Sequence, residues 1–318
     1  MKVRFWGTRG SIPVSITATD IRAKLIAALI ASRDRAFHHR DDIEAFIDGL
    51  GFDVAGSFGG HSSCVQLITG HPEHVILDLG SGARPLGQAM LDHFGPGVPQ
   101  TYHVFMSHLH WDHIMGFPFF APVYIPGNRV VIHSCHRDVE RAFRRQQAEP
   151  SFPVRFDQLA AEVRFEVHAP DTDINVAGMT ARARLQQHSG DSYGWAFTAH
   201  GKRVVYATDS EHDVGNVQQR AEVIEFFRDA DLVIFDAMYS LAESVSVKAD
   251  WGHSSNVIGV ELCQAAKVRQ LMLFHHEPAH DDTRIAGILA ETRRYEEISR
   301  EDQPLEVFAA YDGLVHPL

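Results

Sequence analysis

Residues 107–117 read "SHLHWDHIMGF" and place His108, His110, Asp112 and His113 within six positions. Imidazole and carboxylate groups together are ligands suited to zinc and similar transition metals. Four such groups exceed what one tetrahedral ion readily accepts from so short a segment, so the spacing points to two ions. Packing these polar groups with no cation to hold would be costly. Two metals need further ligands, and they recur at other strand-like ends. His188 closes "MTARARLQQH", Asp209 closes "RVVYATD", and His275 closes "QLMLFH" with His276 directly behind it. A single histidine at such a place is more often a hydrogen-bonded residue than a ligand, and the chain has 21 histidines. The argument therefore rests on the cluster at 108–113, which the single residues supplement.

The elements that must position these groups are legible as apolar, β-branched runs bounded by Gly, Pro, Asp or His. "KVRFWGT", "SCVQLIT", "HVILDLGSG", "TYHVFMSH", "RVVIHS" and "VRFEVHA" make up a first set. "MTARARLQQH", "GWAFTA", "RVVYATD", "DLVIFDAMYS", "QLMLFHH" and "LEVFAAYDG" make up a second. "TAHGKRVVYATD" reads as a hairpin turning near His200-Gly201-Lys202. Helical periodicity marks "TDIRAKLIAALIASRDRAF", with Ile21, Leu25 and Leu29 on a stripe that Ile26 and Ile30 widen. It also marks "DDIEAFIDGL", a basic segment at 138–147, "SSNVIGVELCQAAKV" and "DDTRIAGILAETRRYEEIS", the last two opening on capping residues. With no repeats or linkers, residues 1–318 read as one α/β (α+β) domain: two β-rich halves in a sandwich with helices outside.

Composition narrows the function. Of 318 residues, 45% are hydrophobic, enough for a substantial core without staples. Cys64, Cys135 and Cys263 are odd in number and far apart, which argues against a disulfide framework and fits a reducing compartment. The opening residues lack the pattern of a signal peptide, and "AKLIAALIA" is too short to span a bilayer, so a cytoplasmic protein with no membrane partner is expected. The formal charge of −12 disfavours long nucleic acid as a partner. It leaves room for a small phosphorylated substrate, because bound cations invert the local field.

"HLHWDH" followed in order by His188, Asp209 and His275 resembles the metallo-β-lactamase superfamily, and the likeness covers nearly the whole chain. "FWGTRGSIP", "FGGHSSCVQL" and "VILDLGSG" are similar to its opening strands and turns. "WGHSS" and "LFHHEP" are similar to its phosphodiesterase branch, which holds tRNA 3′-end-processing ribonucleases and cyclic-phosphodiester hydrolases. The resemblance implies an αββα sandwich with a dinuclear zinc site at one edge (Mn2+ or Fe2+ also suit the ligands). It implies His108, His110 and His188 on one metal, Asp112, His113 and His275 on the other, and Asp209 as the bridge. His276 is the neighbour that could replace His275. It further implies that Asp112 accepts a hydrogen bond from the attacking oxygen and that the non-ligand His253 serves the leaving group; capping the following helix is the plainer role for His253. Asp78 could orient a ligand histidine or merely form a turn. Arg9 and Lys248 could meet a phosphate, Glu211 and His212 could line the cleft, and His61 stands where relatives more often carry Asn. His103, His133, His136, His168 and His200 read as ordinary.

Two departures from the family pattern matter. A helical insertion at about 16–57 separates the opening turn from the "GG" strand; it could cap the cleft, form a homodimer surface or pack outside the sandwich. A long basic Gly/Pro-rich arm of the kind the tRNA-processing relatives use is not apparent. The leading expectation is a metal-dependent phosphodiesterase acting on a small or cyclic phosphodiester. The alternatives are an RNA 3′-processing endonuclease, a lactonase or thioesterase, and a non-catalytic metal-binding sensor.

Overall fold

A computed structural model describes residues 1–212, 216–239 and 253–318. Two seven-stranded sheets face each other. The first has β1 (Lys2–Gly7), β2 (Cys64–Ile68), β3 (His74–Leu77), β4 (Thr101–Phe105), β5 (Arg129–Ser134) and β6 (Glu162–Val167), with β14 (Val315–Pro317) outside β1. The second runs β7 (Asp173–Val176), β8 (Met179–Gln186), β9 (Ser192–Ala199), β10 (Lys202–Ala207), β11 (Leu232–Asp236), β12 (Gln270–Phe274) and β13 (Glu306–Ala309). Each sheet changes from antiparallel to parallel partway across: β3 to β6 are parallel in the first, β10 to β13 in the second. Parallel neighbours put all their C-terminal ends on one edge, and there the loops that carry function collect.

The crossovers are helical. They include α4 (Ala83–Phe94), α5 (Trp111–Ile114) and α6 (Val139–Gln146) on the first sheet. On the second they are α7 (Val217–Phe227), α8 (Asn256–Ala265) and α9 (Asp282–Ser299). Three apolar layers follow. Val3, Phe5, Leu77, Phe105, Trp195, Tyr206 and Phe274 fill the space between the sheets. A second layer lies under α7 to α9 and a third under α4 and α6. This is the αββα sandwich expected. The strands β7 and β14 and the helices α4 and α7 lay outside the sequence reading. The two strands are four residues or fewer, and α4 carries Pro85 and Gly87 in its first turns, residues that argue against a helix.

The hairpin of β9 and β10 turns on His200 and Gly201, both at positive φ, as a two-residue loop requires. The insertion folds as α1 (Ala18–Ala31), α2 (Arg40–Asp48) and α3 (Phe52–Ala55). A reciprocal cap between Thr17 and Asp20 opens α1. The apolar stripe of α1 would normally face a core. Here no residue of α1 is buried, and Leu25 and Leu29 are 59% and 70% exposed. Lys24 and α3 provide the attachment. Lys24 pairs with Asp282 at 2.7 Å and donates to the Gly56 carbonyl at 2.9 Å. Phe52 packs its ring on Phe58 and Tyr311. A cavity of about 820 Å³ lies beneath α1, lined among others by Val14, Thr17, Lys24, Gly60 and His61 and by none of the expected metal ligands. No described helix is long and apolar enough to cross a membrane.

Candidate metal centre

Asp78 follows β3, His108 follows β4, His188 follows β8, Asp209 follows β10, Asp236 ends β11 and His275 follows β12. The strands thus deliver six side chains to one edge of the sandwich. Asp78, Asp209 and His275 have φ of 57°, 48° and 59°. Residues other than glycine seldom adopt this left-handed conformation, and it gathers at functional sites. It swings each side chain away from its strand direction and into the cleft. His110 precedes α5, whose single turn presents Asp112 and His113. That turn is pressed onto the "DLGSG" loop and the "GGHSS" turn: His113 O accepts from Leu79 N and Asp112 O from Ser62 Oγ, both at 2.8 Å. A Cβ on Gly116 would meet the Gly80 carbonyl oxygen at 1.8 Å, so this approach requires glycine. Likewise a Cβ on Gly10 would strike the His275 ring at 2.6 Å.

The two carboxylates sit between the imidazoles. Asp209 Oδ2 lies 3.6 Å from His108 Nε2 and 3.9 Å from His188 Nε2. Its Oδ1 lies 3.3 Å from both His113 Nε2 and His275 Nε2. One carboxylate therefore offers one oxygen to each of two groups of rings. His188 Nε2 is 3.1 Å from His110 Nδ1, completing a group of His108, His110 and His188. Asp112 Oδ2 stands 3.3 Å from His113 Nε2 and 3.6 Å from His275 Nε2, completing the other.

Whether these residues fit metal ions can be judged from their unmatched atoms. His108 Nε2, Asp112 Oδ2, His113 Nε2 and His275 Nε2 are all buried without a hydrogen-bond partner. Buried polar atoms are rarely left so, and here all four converge on one small space. Their ring tautomers are compatible with ligation. His113 Nδ1 faces Asp78 Oδ2 at 2.8 Å and His108 Nδ1 faces Ser107 Oγ at 3.0 Å, leaving each Nε2 free for a cation. Electrostatics agree. Burial opposes charge on His113, yet Asp209, Asp112 and Asp78 raise its affinity for a proton well above the usual imidazole range. Burial likewise opposes ionisation of Asp209, yet His275, His113 and His108 hold its carboxyl well below the usual range. A site that so favours positive charge favours a divalent cation in the proton's place.

Asp78 is more than a turn former. It is fully buried, and it also accepts from Ser107 N at 2.7 Å and from Tyr206 Oη at 2.8 Å. His276 turns away from the cleft, its Nε2 donating to the Ala310 carbonyl at 2.8 Å, and burial pushes its basicity down to about 3. His253 does not cap α8, since the N-cap is Ser255. Its Nδ1 meets Asp236 Oδ2 at 2.8 Å, and its ring lies 5.1 Å from His275 and 5.3 Å from His188. Burial works against charge on this ring, but Asp236, together with Asp209 and Asp112, outweighs it and raises the pKa to about 9. Cations held by Asp112 and Asp209 would cancel the share of those two carboxylates, so Asp236 is the partner that keeps the proton.

Asp236 had not been singled out from the sequence, although "DLVIFD" carries the same signal as "RVVYATD": an acid at the C-terminal end of an apolar strand. Arg9 is not available to a phosphate. It is buried and donates to the carbonyls of Gly59, Glu277 and His280, tying the opening turn to the loop after β12. Lys248, with Trp251 and Gly252 of the "WGHSS" motif, lies outside the described residues. His212 stacks on Phe235 and bonds Ser210 Oγ, and Glu211 N donates to the Gln187 carbonyl. His61 pairs with Ser81 Oγ at 3.1 Å.

Comparison with known proteins agrees with this architecture. The chain is 22% identical over 251 residues to the ribonuclease Z of Haloarcula marismortui, with 64% of this chain and 76% of that protein covered. Its fold is similar to the metallo-beta-lactamase fold protein YhfI from Bacillus subtilis, with a TM-score of 0.63 at 16% identity over 99% of this chain and 98% of that one. It is also similar to a diphosphatase from the PhnP family, with a TM-score of 0.60 at 17% identity over 100% and 97%. The profile of the beta-lactamase superfamily domain matches residues 77–276, which include every candidate ligand. The chain therefore belongs to the metallo-β-lactamase superfamily and has the two-sheet fold and metal-binding side chains of a metal-dependent hydrolase.

Proposed function

We propose that this protein is a phosphodiesterase that cleaves a small or cyclic phosphodiester at two zinc ions. In this reading His108, His110 and His188 hold one ion, Asp112, His113 and His275 hold the other, and Asp209 lies between them. Such a pair, when bound, lowers the pKa of a water and offsets charge on the attacked phosphoryl group. The chain's own residues do the rest. Asp112 accepts the proton of the attacking water as the new O–P bond forms. His253, charged and held by Asp236, gives its Nε2 proton to the leaving oxygen as the old P–O bond breaks. Asp78 and Ser107 keep His113 and His108 in the orientation that points Nε2 inward.

The observation that carries phosphodiester chemistry is the His253–Asp236 pair beside the ligand cluster. An alkoxide leaving group needs a proton, and an imidazolium stabilised by a carboxylate supplies it. A groove of about 790 Å³ runs from Leu109 and Trp111 to Phe119 and Phe152; none of the candidate ligands lines it, and Arg141 on its wall pairs with Asp138 at 3.0 Å. The similarity to a ribonuclease Z supports phosphodiester cleavage, while the net charge of −12 weighs against long RNA. A cytoplasmic location belongs to the same reading.

The experiment is a comparison of two leaving groups. His253→Ala should lower turnover of a substrate with a ribose alkoxide leaving group by about 10²–10⁴-fold. The loss should be much smaller for a nitrophenyl phosphodiester, whose leaving group needs little protonation, and zinc content should not change. Equal losses on both would overturn the acid role. No phosphodiesterase activity beside turnover of a lactone would overturn the function itself.

A further inference from the structure

Three of the histidines that read as ordinary in the sequence form a row on the first sheet. His103 of β4, His133 of β5 and His168, just after β6, form a diagonal row on the sheet face that looks toward the second sheet, His133 being paired in register with Phe105 and Glu166. Their rings stack, His103 on His133 at 5.3 Å and 27°, and His133 on His168 at 5.2 Å and 20°. The Phe105 ring lies nearly parallel to His133, at 4.5 Å and 16°. The ring nitrogens meet head to head: His103 Nδ1 is 3.0 Å from His133 Nε2, and His133 Nδ1 is 2.9 Å from His168 Nε2. Carboxylates bracket the row. Glu73 Oε2 is 3.3 Å from His103 Nε2. Glu166 Oε2 is 3.4 Å from His133 Nδ1 and 3.8 Å from His168 Nε2.

Neutral imidazole carries one N–H, so the direction of donation can be followed along the row. His103 Nε2–H serves Glu73, which leaves His103 Nδ1 to accept from His133 Nε2–H. His133 Nδ1 then accepts from His168 Nε2–H at 2.9 Å, with Glu166 Oε2 3.4 Å away; an ion there would replace that hydrogen bond, His168 carrying its proton on Nδ1 instead. An additional proton there is opposed by burial and by the flanking rings, which push His133 down to about 3. What remains is a convergence of one buried nitrogen, a second imidazole nitrogen and a carboxylate oxygen.

We propose that His133 Nδ1, His168 Nε2 and Glu166 bind a third divalent transition-metal ion, zinc by ligand type, separate from the hydrolytic centre. Bonds of about 2.0–2.2 Å to such an ion put ligand atoms about 2.9 Å apart at a right angle and about 3.4 Å apart in a tetrahedron. Of the three observed separations, 2.9 and 3.4 Å lie within this range, and the 3.8 Å between His168 Nε2 and Glu166 Oε2 would have to shorten by a few tenths of an ångström. The groups behind the ligands also suit an ion. His133 donates its other N–H to His103, which donates to Glu73, an extended form of the imidazole–carboxylate support common at metal sites. Glu166 is half exposed, so an ion can enter from solvent and keep a water. His133 pairs in register with Phe105, three residues before His108, so the site is about 10 Å along the strand from the first hydrolytic ligand. The ion would tie β5 to the edge strand β6.

The test counts metal and does not depend on turnover. Wild type, Glu166→Gln and His168→Gln are dialysed to equilibrium against zinc, freed of loose metal, and analysed for zinc per folded chain. Wild type should hold one equivalent more than either variant, with hydrolytic activity unchanged. Asp209→Asn should lose metal from the other centre and keep this equivalent. Crystals soaked in zinc should show anomalous density between His133 Nδ1 and His168 Nε2, which covers the case of a variant that fails to fold. Equal zinc in wild type and both variants, or no density at that point, overturns the proposal and leaves the phosphodiesterase reading untouched.

Discussion

Asp209, at the residue scale, carries the strongest dependence of the centre on one side chain. It offers separate oxygens to two sets of rings at 3.3–3.9 Å. An amide keeps the shape and one acceptor but loses the charge between two cations. Asp209→Asn should therefore lower zinc content and turnover, with a fall in melting temperature no larger than chelation gives the wild type; unchanged zinc and turnover would show that the bridge is elsewhere. Asp78 acts at one remove, through His113 Nδ1. Asp78→Asn should weaken metal affinity by about 10–100-fold, the usual effect of losing such support, read by competition with a chromogenic chelator. Asp236 sets the acid. Asp236 raises His253 above its ordinary imidazole value, so its active protonated form persists to higher pH than that of a free imidazole and is lost as pH rises through the raised value. Asp236→Asn should shift the basic limb of the kcat/KM profile to lower pH; a limb that stays in place would separate His253 from that limb.

The insertion is the element whose behaviour the amphipathic pattern least predicted. The periodicity of Ile21, Leu25 and Leu29 gives a helix, and α1 is one, but the stripe faces outward. Periodicity reports which residues share a face and not what that face meets. Such a face, continuous with exposed Ile26 and Ile30, is the basis for expecting self-association of the protein. Leu25→Glu with Leu29→Glu should then convert a dimer to a monomer in sedimentation equilibrium while zinc content stays the same; an unchanged mass would show that α1 covers no second copy. The anchoring lies in Lys24 and α3 rather than along α1 as a whole. Removing only 25–50 should spare the metal centre, whereas a deletion that takes Phe52 should also destabilise the body.

At the scale of the whole molecule, the metal centre joins the two sheets. Asp78 from the first sheet bonds Tyr206 of the second, and His113 and Asp209 bring the same two halves together. Metal bound there adds to the stability of the folded state by mass action, about 4 kcal/mol at a thousandfold excess over the dissociation constant. Chelation should lower the melting temperature by several degrees and abolish turnover, and zinc should restore both. A melting temperature indifferent to chelator would mean that the cations do not hold the halves.

The sequence alone put forward the dense cluster "HLHWDH" as ligands; His188, Asp209 and His275, each a single residue at a strand end, joined it through the resemblance to the superfamily. It also determined the sandwich, because twelve short apolar runs interleaved with helices have few other ways to bury both faces of their sheets. Tertiary structure decided what depends on pairing across long separations. His275 and His276 are adjacent and chemically identical; only the left-handed turn at His275 and the Ala310 carbonyl near His276 distinguish them. Arg9 reads as a spare cation until three carbonyls from distant loops close around it. Asp236 and the row of His103, His133 and His168 were visible as residue types, yet their meaning comes from register. Parallel pairing sets His133 opposite Phe105 and Glu166, so that His103 and His168 stand diagonally beside it on the same face, and spacing along the chain contains no trace of that alignment.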